Sequence, residues 1–173
     1  KVCWLFSISF ISFKYITDGA DEQYPKDWEE NCSDGIKEFK EIVLSGINLG
    51  DFNNDSGENL FQLLDMLNDA TSIPRIRISS IEPNLLSDKI IDLLSNSKRY
   101  LPHLHIPLQS GSNKILKLMK RRYSSEYYVD KINLIQSKIP NICVGVDVIT
   151  GFPTETEEDF NQTYYLPKNL NVS

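Results

Sequence analysis

Cysteine and histidine are scarce in this chain of 173 residues. The three cysteines, Cys3, Cys32 and Cys143, match no close-set metal-binding or redox spacing, and their odd number argues against a disulfide scaffold. We therefore expect a reducing compartment, the cytoplasm, as the location of the chain. The two histidines, His103 and His105, are few for a hydrolytic metal centre, which usually draws on more.

Long apolar runs and an excess of positive charge are also missing. No run reaches the length of a membrane span, so we expect no membrane partner. The net charge of −6 and the isoelectric point of about 4.9 argue against binding of nucleic acid through overall charge. A local basic patch remains compatible with these values, because recognition depends on where charge lies.

The first 35 residues do not join the pattern of the rest of the chain. They open with KVCWLFSISFISF, an apolar stretch that resembles a weak signal-peptide core but lacks a clean cleavage site. Residues 18–35 are acidic and rich in turn-forming residues, which predicts a loop. We interpret 1–35 as a degenerate or non-matching segment, and the beginning of the chain as the start of a fragment.

From residue 36 onward, strand-like and helix-like stretches alternate. Short apolar runs occupy 41–45, 75–80, 103–108 and 142–149. A stretch with helical spacing follows each of these runs. This alternation predicts an α/β fold with a parallel sheet and right-handed crossover helices. In such folds the site lies at the carboxyl ends of the strands, which here fall near residues 46–48, 80–82, 109–112 and 150–154.

Two of these strand exits carry candidate binding residues. Glu82 lies between a strand and a proline, where a carboxylate can accept hydrogen bonds from a sugar hydroxyl or an ammonium group. Gly151 leaves room for a flat ring against the backbone. Thr154 and Thr156 are candidate N-caps of the last helix. A surface carboxylate and a well-capped turn remain the plain alternatives.

The histidine pair suggests a different function. His103 and His105 are two apart on a strand, so both face the same side of the sheet. Together with Glu82 and Asp147 from other strands, they would form the centre of a metal-dependent barrel hydrolase. This is the alternative from another class of protein.

A basic helix is predicted after the third strand. Ser112 is a good N-cap, and Lys114, Lys117 and Arg121 share one face of the predicted helix. A solvated helix face is the plain interpretation. Because the helix begins at the active edge of the sheet, these three side chains are also candidates for binding RNA phosphates.

Four stretches resemble one family. They are EIVLSGINLGDF, RIRISSIEPNLLSDKIIDLL, PHLHIPLQSGSNKILKLMKRRY and VGVDVITGFPTETEEDF. They resemble the radical S-adenosylmethionine (SAM) methylthiotransferases, and most closely the branch that modifies threonylcarbamoyladenosine in tRNA. The resemblance is specific, because four separate motifs occur in the right order over residues 36–173.

The resemblance implies that 36–173 is a radical SAM core domain, an incomplete (β/α)6 partial barrel truncated before its last strand. It implies methylthiolation at C2 of N6-threonylcarbamoyladenosine next to the anticodon, with tRNA as substrate and an electron donor. The implied cofactors are SAM and a 4Fe–4S cluster held by a CxxxCxxC motif. By position, the resemblance assigns SAM binding to Gly46, Asn48, Glu82, Gln109, Ser110 and Gly151.

The CxxxCxxC motif itself is absent. Cys3 is followed by Ser7 and Phe10 at the spacing where two further cysteines would stand, so Cys3 is a candidate remnant of the motif. We assign no catalytic residue and predict that the chain is inactive as written. The alternatives are the hydrolase that uses His103 and His105, or a non-catalytic remnant that binds a nucleotide or RNA.

Overall fold

The computed structural model describes residues 2–6, 10–14, 41–46, 49–52, 59–70 and 73–172. Within residues 2–14 it describes the strands and not their side chains. The strands are β1 (Val2–Phe6), β2 (Phe10–Lys14), β3 (Ile42–Leu44), β4 (Ile76–Ile78), β5 (His103–His105) and β6 (Cys143–Gly145). The helices are α1 (Leu60–Ala70), α2 (Asp88–Asn96), α3 (Asn113–Leu118), α4 (Ser125–Lys138) and α5 (Glu157–Asn169), and a short 3₁₀ turn spans Leu49–Asp51.

Strands β3 to β6 are parallel and follow one another in chain order. Strand β3 pairs with β4, and β5 pairs with β6. A parallel bridge between Ser80 and His105 joins β4 to β5, and the Ile81 amide donates to the His105 carbonyl at 3.0 Å. The α/β fold predicted from the alternation is confirmed. The strands are shorter than the apolar runs, because beyond three residues the pairing continues only as isolated bridges.

The two N-terminal strands pair with each other. Strands β1 and β2 are antiparallel, in a register that runs from Val2 opposite Lys14 to Phe6 opposite Phe10. They therefore differ in direction of pairing from the parallel strands. The loop predicted at 18–35 lies outside the described residues, and the domain boundary at residue 35 stays a prediction.

The core lies between one face of the parallel sheet and the helices. Ile76, Ile78, Leu104 and Val144 are buried on the strands, as the alternation of side chains along a strand requires. Buried positions on the helices cover them, among them Leu64, Ile91, Ile132 and Ile135. Each of these side chains stabilises the fold by roughly 1.5–3 kcal/mol relative to exposure.

Buried tyrosines join this core to the backbone of the strand exits. The Tyr128 hydroxyl donates to the Ile106 carbonyl at 2.8 Å, and the Tyr123 hydroxyl lies 3.1 Å from the Pro107 carbonyl. Burial raises the pKa of Tyr123 to about 12, and burial also raises the pKa of Tyr128. Both tyrosines are therefore neutral hydrogen-bond donors at ordinary pH.

The basic stretch forms two helices rather than one. Ser112 caps α3, as predicted, with its hydroxyl accepting from the Ile115 amide. The helix ends at Leu118, and Lys120 adopts a left-handed conformation with φ 56°. The prediction that Arg121 shares a helix face with Lys114 and Lys117 is wrong. The chain turns there because the side chain of Tyr123 is anchored in the core.

The last helix begins at one of its two candidate caps. Thr156 is the N-cap of α5, and it forms a capping box with Asp159. Thr154 lies in the preceding turn with φ 71°. In the part of the chain that the structure describes, no helix is both long and apolar enough to cross a membrane.

Candidate functional site

The polar residues that follow β4, β5 and β6 lie at one edge of the sheet. The Gln109 amide donates to the Asp147 carbonyl at 2.9 Å, and the Gln109 carbonyl accepts from the Ile149 amide at 2.8 Å. This pairing keeps the exits of β5 and β6 side by side. Gly46 follows β3 and is exposed, whereas Asn48 lies outside the described residues.

The backbone at these exits adopts conformations that most residues avoid. Gln109 has φ 66°, Thr154 has φ 71° and Gly151 has φ 75°. A non-glycine residue in this region costs on the order of 1 kcal/mol or more, and such residues cluster at functional sites. A Cβ placed on Gly151 would meet no atom within 4 Å, so the space beside this residue is open. An open backbone surface suits the flat ring that the sequence predicts there.

An ion pair lies at the exit of β4. Arg121 Nη1 lies 2.8 Å from Glu82 Oε1, and both side chains are about 30% exposed. Arg121 Nε is buried and finds no acceptor among the described residues. A guanidinium has five N–H donors, so this arginine keeps donors for a carboxylate or phosphate. The turn after α3 therefore brings Arg121 to the predicted cofactor site, which sequence periodicity alone did not indicate.

The loop after β5 is fixed to α5. The Ser110 side chain is fully buried, with its hydroxyl 3.1 Å from that of Thr163, and it accepts from the Ser112 amide. A Cβ on Gly111 would come within 2.5 Å of the Gln162 carbonyl oxygen, so only glycine allows this close approach. The Ser110 hydroxyl thus has partners inside the protein, and its role in cofactor binding stays a prediction.

Asp159 is a buried carboxylate at the centre of this region. It accepts hydrogen bonds from Lys114 Nζ at 2.7 Å, from the Ser112 hydroxyl at 2.6 Å and from the Thr156 hydroxyl at 2.7 Å. Lys114 is the main reason that the pKa of Asp159 lies far below its usual range, and the two hydroxyls contribute. Asp159 is not among the candidates that the sequence analysis singled out. The spacing of Thr156 and Asp159, which is that of a capping box, is the signal that would have singled out Asp159.

The three predicted RNA-binding residues have different surroundings. Lys114 is held by Asp159 and also donates to the Thr154 carbonyl at 3.2 Å. Arg121 is held by Glu82. Lys117 is exposed, and no acidic partner lies beside it in the described parts of the chain. It borders an open concavity of about 430 Å³, lined by Asn113, Lys117 and residues 120–124.

The histidines do not form a metal centre with the predicted partners. His105 Nε2 lies 3.1 Å from Asp147 Oδ2, while Glu82 is engaged by Arg121. Burial lowers the pKa of His103, which favours its neutral form. Across the described ranges, no group of three histidine, cysteine, aspartate or glutamate side chains is arranged to hold a metal ion. The hydrolase alternative is therefore not favoured.

The cysteines do not match the ligand set of a 4Fe–4S cluster. Such a cluster needs three closely spaced thiolates that leave one iron open. Cys3 lies on β1, Cys32 lies outside the described residues, and Cys143 begins β6 at the end opposite the strand exits. The donor set of this chain therefore does not fit the cluster.

Comparison with known proteins gives strong matches in sequence. The Radical SAM superfamily matches residues 9–166. The chain is 45% identical over 137 residues to the threonylcarbamoyladenosine tRNA methylthiotransferase MtaB of Bacillus subtilis (strain 168), covering 78% of this chain and 30% of that protein. It is 43% identical over 136 residues to the tRNA-2-methylthio-N(6)-dimethylallyladenosine synthase of Thermoanaerobacter sp. (strain X514), covering 78% and 29%. These relatives confirm the resemblance to tRNA methylthiotransferases.

Solved structures agree with the fold. The chain matches the radical SAM enzyme coproporphyrinogen III oxidase (HemN) of Escherichia coli with a TM-score of 0.62 and 18% identity, covering 88% of this chain and 36% of HemN. It matches the cobalamin-dependent radical SAM enzyme OxsB with a TM-score of 0.58 and 13% identity, covering 84% and 22%. The chain spans about 30% of the length of the curated relatives it matches. With its parallel α/β partial barrel, the chain belongs to the radical SAM superfamily.

Proposed function

We propose that this chain is the SAM-binding and tRNA-facing part of a tRNA methylthiotransferase. The reaction of the whole enzyme would be methylthiolation at C2 of N6-threonylcarbamoyladenosine next to the anticodon. The names of both relatives, at 45% and 43% identity, denote the methylthio modification of an adenosine in tRNA. A cytoplasmic location follows from that substrate.

The ion pair at the exit of β4 carries the proposal for SAM. The methionine part of SAM has an ammonium and a carboxylate, and the ribose of SAM has two hydroxyls. Glu82 would accept from the ammonium or the ribose, and the accessible guanidinium donors of Arg121 that Glu82 does not use would bind the carboxylate of SAM. Because both side chains are only partly exposed, their hydrogen bonds to a charged ligand are stronger than at an open surface.

The other exits would complete the SAM site. Gln109 is held at the edge by its backbone hydrogen bonds, and its half-buried side chain would turn towards the ligand. Gly151 would let the adenine ring lie against the backbone. By resemblance, Gly46 and Asn48 would lie near the methionine ammonium, and Ser110 near the carboxylate or ribose.

Iron–sulfur chemistry does not fit the residues of this chain. In the family, a 4Fe–4S cluster supplies the electron that cleaves SAM, and an electron donor reduces the cluster. Cys3 alone does not hold such a cluster, so we propose that this chain binds its ligands without catalysing the reaction. The second candidate is a non-catalytic remnant that keeps only a surface for a nucleotide or RNA, and the mismatch in the cysteines favours it over an active enzyme.

Equilibrium dialysis with radiolabelled SAM tests the proposed site. Glu82→Gln and Arg121→Gln should each weaken binding by about tenfold or more, because each removes a charged hydrogen bond of about 1.5–3 kcal/mol. Lys98 is an exposed cation that follows α2, and Lys98→Gln serves as the control, which should bind SAM as the unmodified chain does. Unchanged binding by both variants, or no binding by the unmodified chain, would refute the site.

A further inference from the structure

Positive charge is concentrated around one open surface of this acidic chain. We propose that the concavity lined by Asn113, Lys117 and residues 120–124, here the basic concavity, binds consecutive phosphates of an RNA strand through Lys117, Lys120 and Arg122. This inference rests on the proposed function, since it names the surface that would meet the tRNA. It replaces two of the three residues that the sequence predicted for this role.

The cations of the basic stretch fall into two groups. Lys114 and Arg121 each lie within 2.8 Å of a carboxylate oxygen of the protein itself. Lys117, Lys120 and Arg122 are exposed, and among the described residues none of them has an acidic partner. The first group is neutralised locally, so the second group supplies the positive potential of the basic concavity.

The turn after α3 gathers these three cations. Lys120 has φ 56°, and the Arg121 amide donates to the Leu116 carbonyl at 2.9 Å. A continued helix would have carried the side chains of 120–122 around its axis to different faces. The left-handed residue instead folds the chain back, so that Lys117, Lys120 and Arg122 line one concavity.

The base of the basic concavity is held in place by hydrogen bonds. The Tyr123 hydroxyl lies 3.1 Å and 3.2 Å from the carbonyls of Pro107 and Leu108. Asn113 Oδ1 accepts from the Ser125 amide at 2.8 Å, which fixes the start of α4. A site that is already ordered loses less conformational entropy when it binds.

The acidic side chain of Glu126 lies nearby and reduces the potential. Both oxygens of Glu126 accept from Asn113 Nδ2, at 2.9 Å and 3.0 Å, and this amide is the main reason that the pKa of Glu126 falls to about 2. Glu126 is thus negative at ordinary pH. The three cations outnumber it, and the surface keeps a net positive charge.

The lining favours the sugar–phosphate backbone over the bases. The one aromatic ring of the basic concavity, Tyr123, is buried, so no exposed ring is offered there for base stacking. Lysine and arginine at an open surface contact phosphates without reading sequence. Arg121 lines the basic concavity and also touches Glu82. An RNA whose target base enters the proposed SAM site would therefore pass its neighbouring phosphates over Lys117, Lys120 and Arg122.

Fluorescence anisotropy with a labelled anticodon stem-loop RNA tests this surface. The double variant Lys117→Gln/Lys120→Gln is compared with Lys89→Gln/Lys98→Gln, which makes the same charge change at two exposed positions at and after α2. The first variant should bind about tenfold more weakly at low salt, and its slope of log affinity against log salt should fall by about 1.4, or 0.7 per phosphate contact. The double variant Lys89→Gln/Lys98→Gln should have the same slope of log affinity against log salt as the unmodified chain.

A second measurement locates the RNA on the unmodified chain. Acetylation of lysines, followed by mass spectrometry, should show that the stem-loop protects Lys117 and Lys120 but not Lys89 and Lys98. Equal slopes for the two double variants, equal acetylation with and without RNA, or no binding of the stem-loop would each overturn the basic concavity as an RNA site. SAM dialysis is independent of these lysines, so a failure here leaves the proposed SAM site standing.

Discussion

The Ser112 hydroxyl donates a 2.6 Å hydrogen bond to the carboxylate of Asp159, which is 47 residues further along the chain. Ser112 is the N-cap of α3, and Asp159 belongs to the capping box of α5 with Thr156. One carboxylate therefore ties together the starts of two helices. The loops that carry Gln109 and Gly151 lie directly before these helices, so their relative position depends on Asp159.

Asp159→Asn should destabilise the fold. The amide keeps the size of the carboxylate but loses the charge that Lys114 needs, and it accepts fewer of the hydrogen bonds from Ser112 and Thr156. We expect a thermal midpoint several degrees lower, measured by circular dichroism. Glu158→Gln, an exposed neighbour on the same turn, is the control and should leave the midpoint unchanged. Equal midpoints for the two variants would show that Asp159 is not a structural centre.

The same carboxylate should make stability depend on acid pH. The folded pKa of Asp159 is lowered below the ordinary value of 3.8, first by Lys114. A carboxylate with a depressed folded pKa stabilises the fold above its unfolded pKa, and this contribution is lost as the pH falls towards the folded pKa. The difference in midpoint between the unmodified chain and Asp159→Asn should therefore be constant between about pH 7 and pH 5 and should shrink below about pH 4. A difference that grows on acidification would contradict this sign.

Tyr128→Phe should cost about 1–2 kcal/mol of unfolding free energy in urea titrations. The phenyl ring would still fill the core, but the buried Ile106 carbonyl would lose the hydroxyl that donates to it at 2.8 Å. Tyr127→Phe makes the same chemical change on an exposed neighbouring side chain and should change the free energy by less than about 0.5 kcal/mol. Similar costs for both would mean that the buried hydrogen bond contributes nothing.

Gly111→Ala should destabilise the chain by about 1–3 kcal/mol, as overpacking does. The added methyl group would meet the backbone of α5, with the Gln162 carbonyl oxygen at 2.5 Å, and backbone cannot rotate away as a side chain can. Gly46→Ala is the matched control, because its Cβ would find no neighbour closer than 3.8 Å. Thermal and urea unfolding of both variants measure the difference. Equal stability of the two would show that α5 can shift without cost.

Anaerobic reconstitution with iron and sulfide should give no stoichiometric 4Fe–4S cluster. The three cysteines of the chain are far apart in sequence, and Cys143 lies at the end of β6 away from the strand exits. Visible absorption and iron content per chain measure the outcome. A cluster at one per chain would refute the predicted inactivity.

Local sequence patterns were sufficient to predict the alternation of parallel strands and helices. Alternation of apolar runs and helical stretches predicted the four parallel strands, because each unit buries its own apolar face. Ser112 was predicted as a cap from its side chain alone, since the capping hydrogen bond reaches only three residues ahead. Such features depend on neighbours in sequence, and sequence patterns therefore contain them.

Features that depend on distant contacts were not predictable in this way. The helical pattern continues through Arg122, but the helix ends at Leu118 because Tyr123 is anchored to the exit of β5. The pairing of Arg121 with Glu82 joins residues 39 positions apart, and no periodic pattern in the sequence indicates it. The position of Ser110 inside the protein likewise depends on Thr163 of α5.

The order of strands in the parallel sheet also has a consequence for biosynthesis. Because β3, β4, β5 and β6 lie side by side in the order in which they are made, each new strand can dock against the one before it as the chain leaves the ribosome. No strand has to wait for a partner from the far end of this sheet. The hydrogen bond between Ser112 and Asp159 forms only when α5 has emerged, so the loop after β5 is fixed later than the strand that it follows.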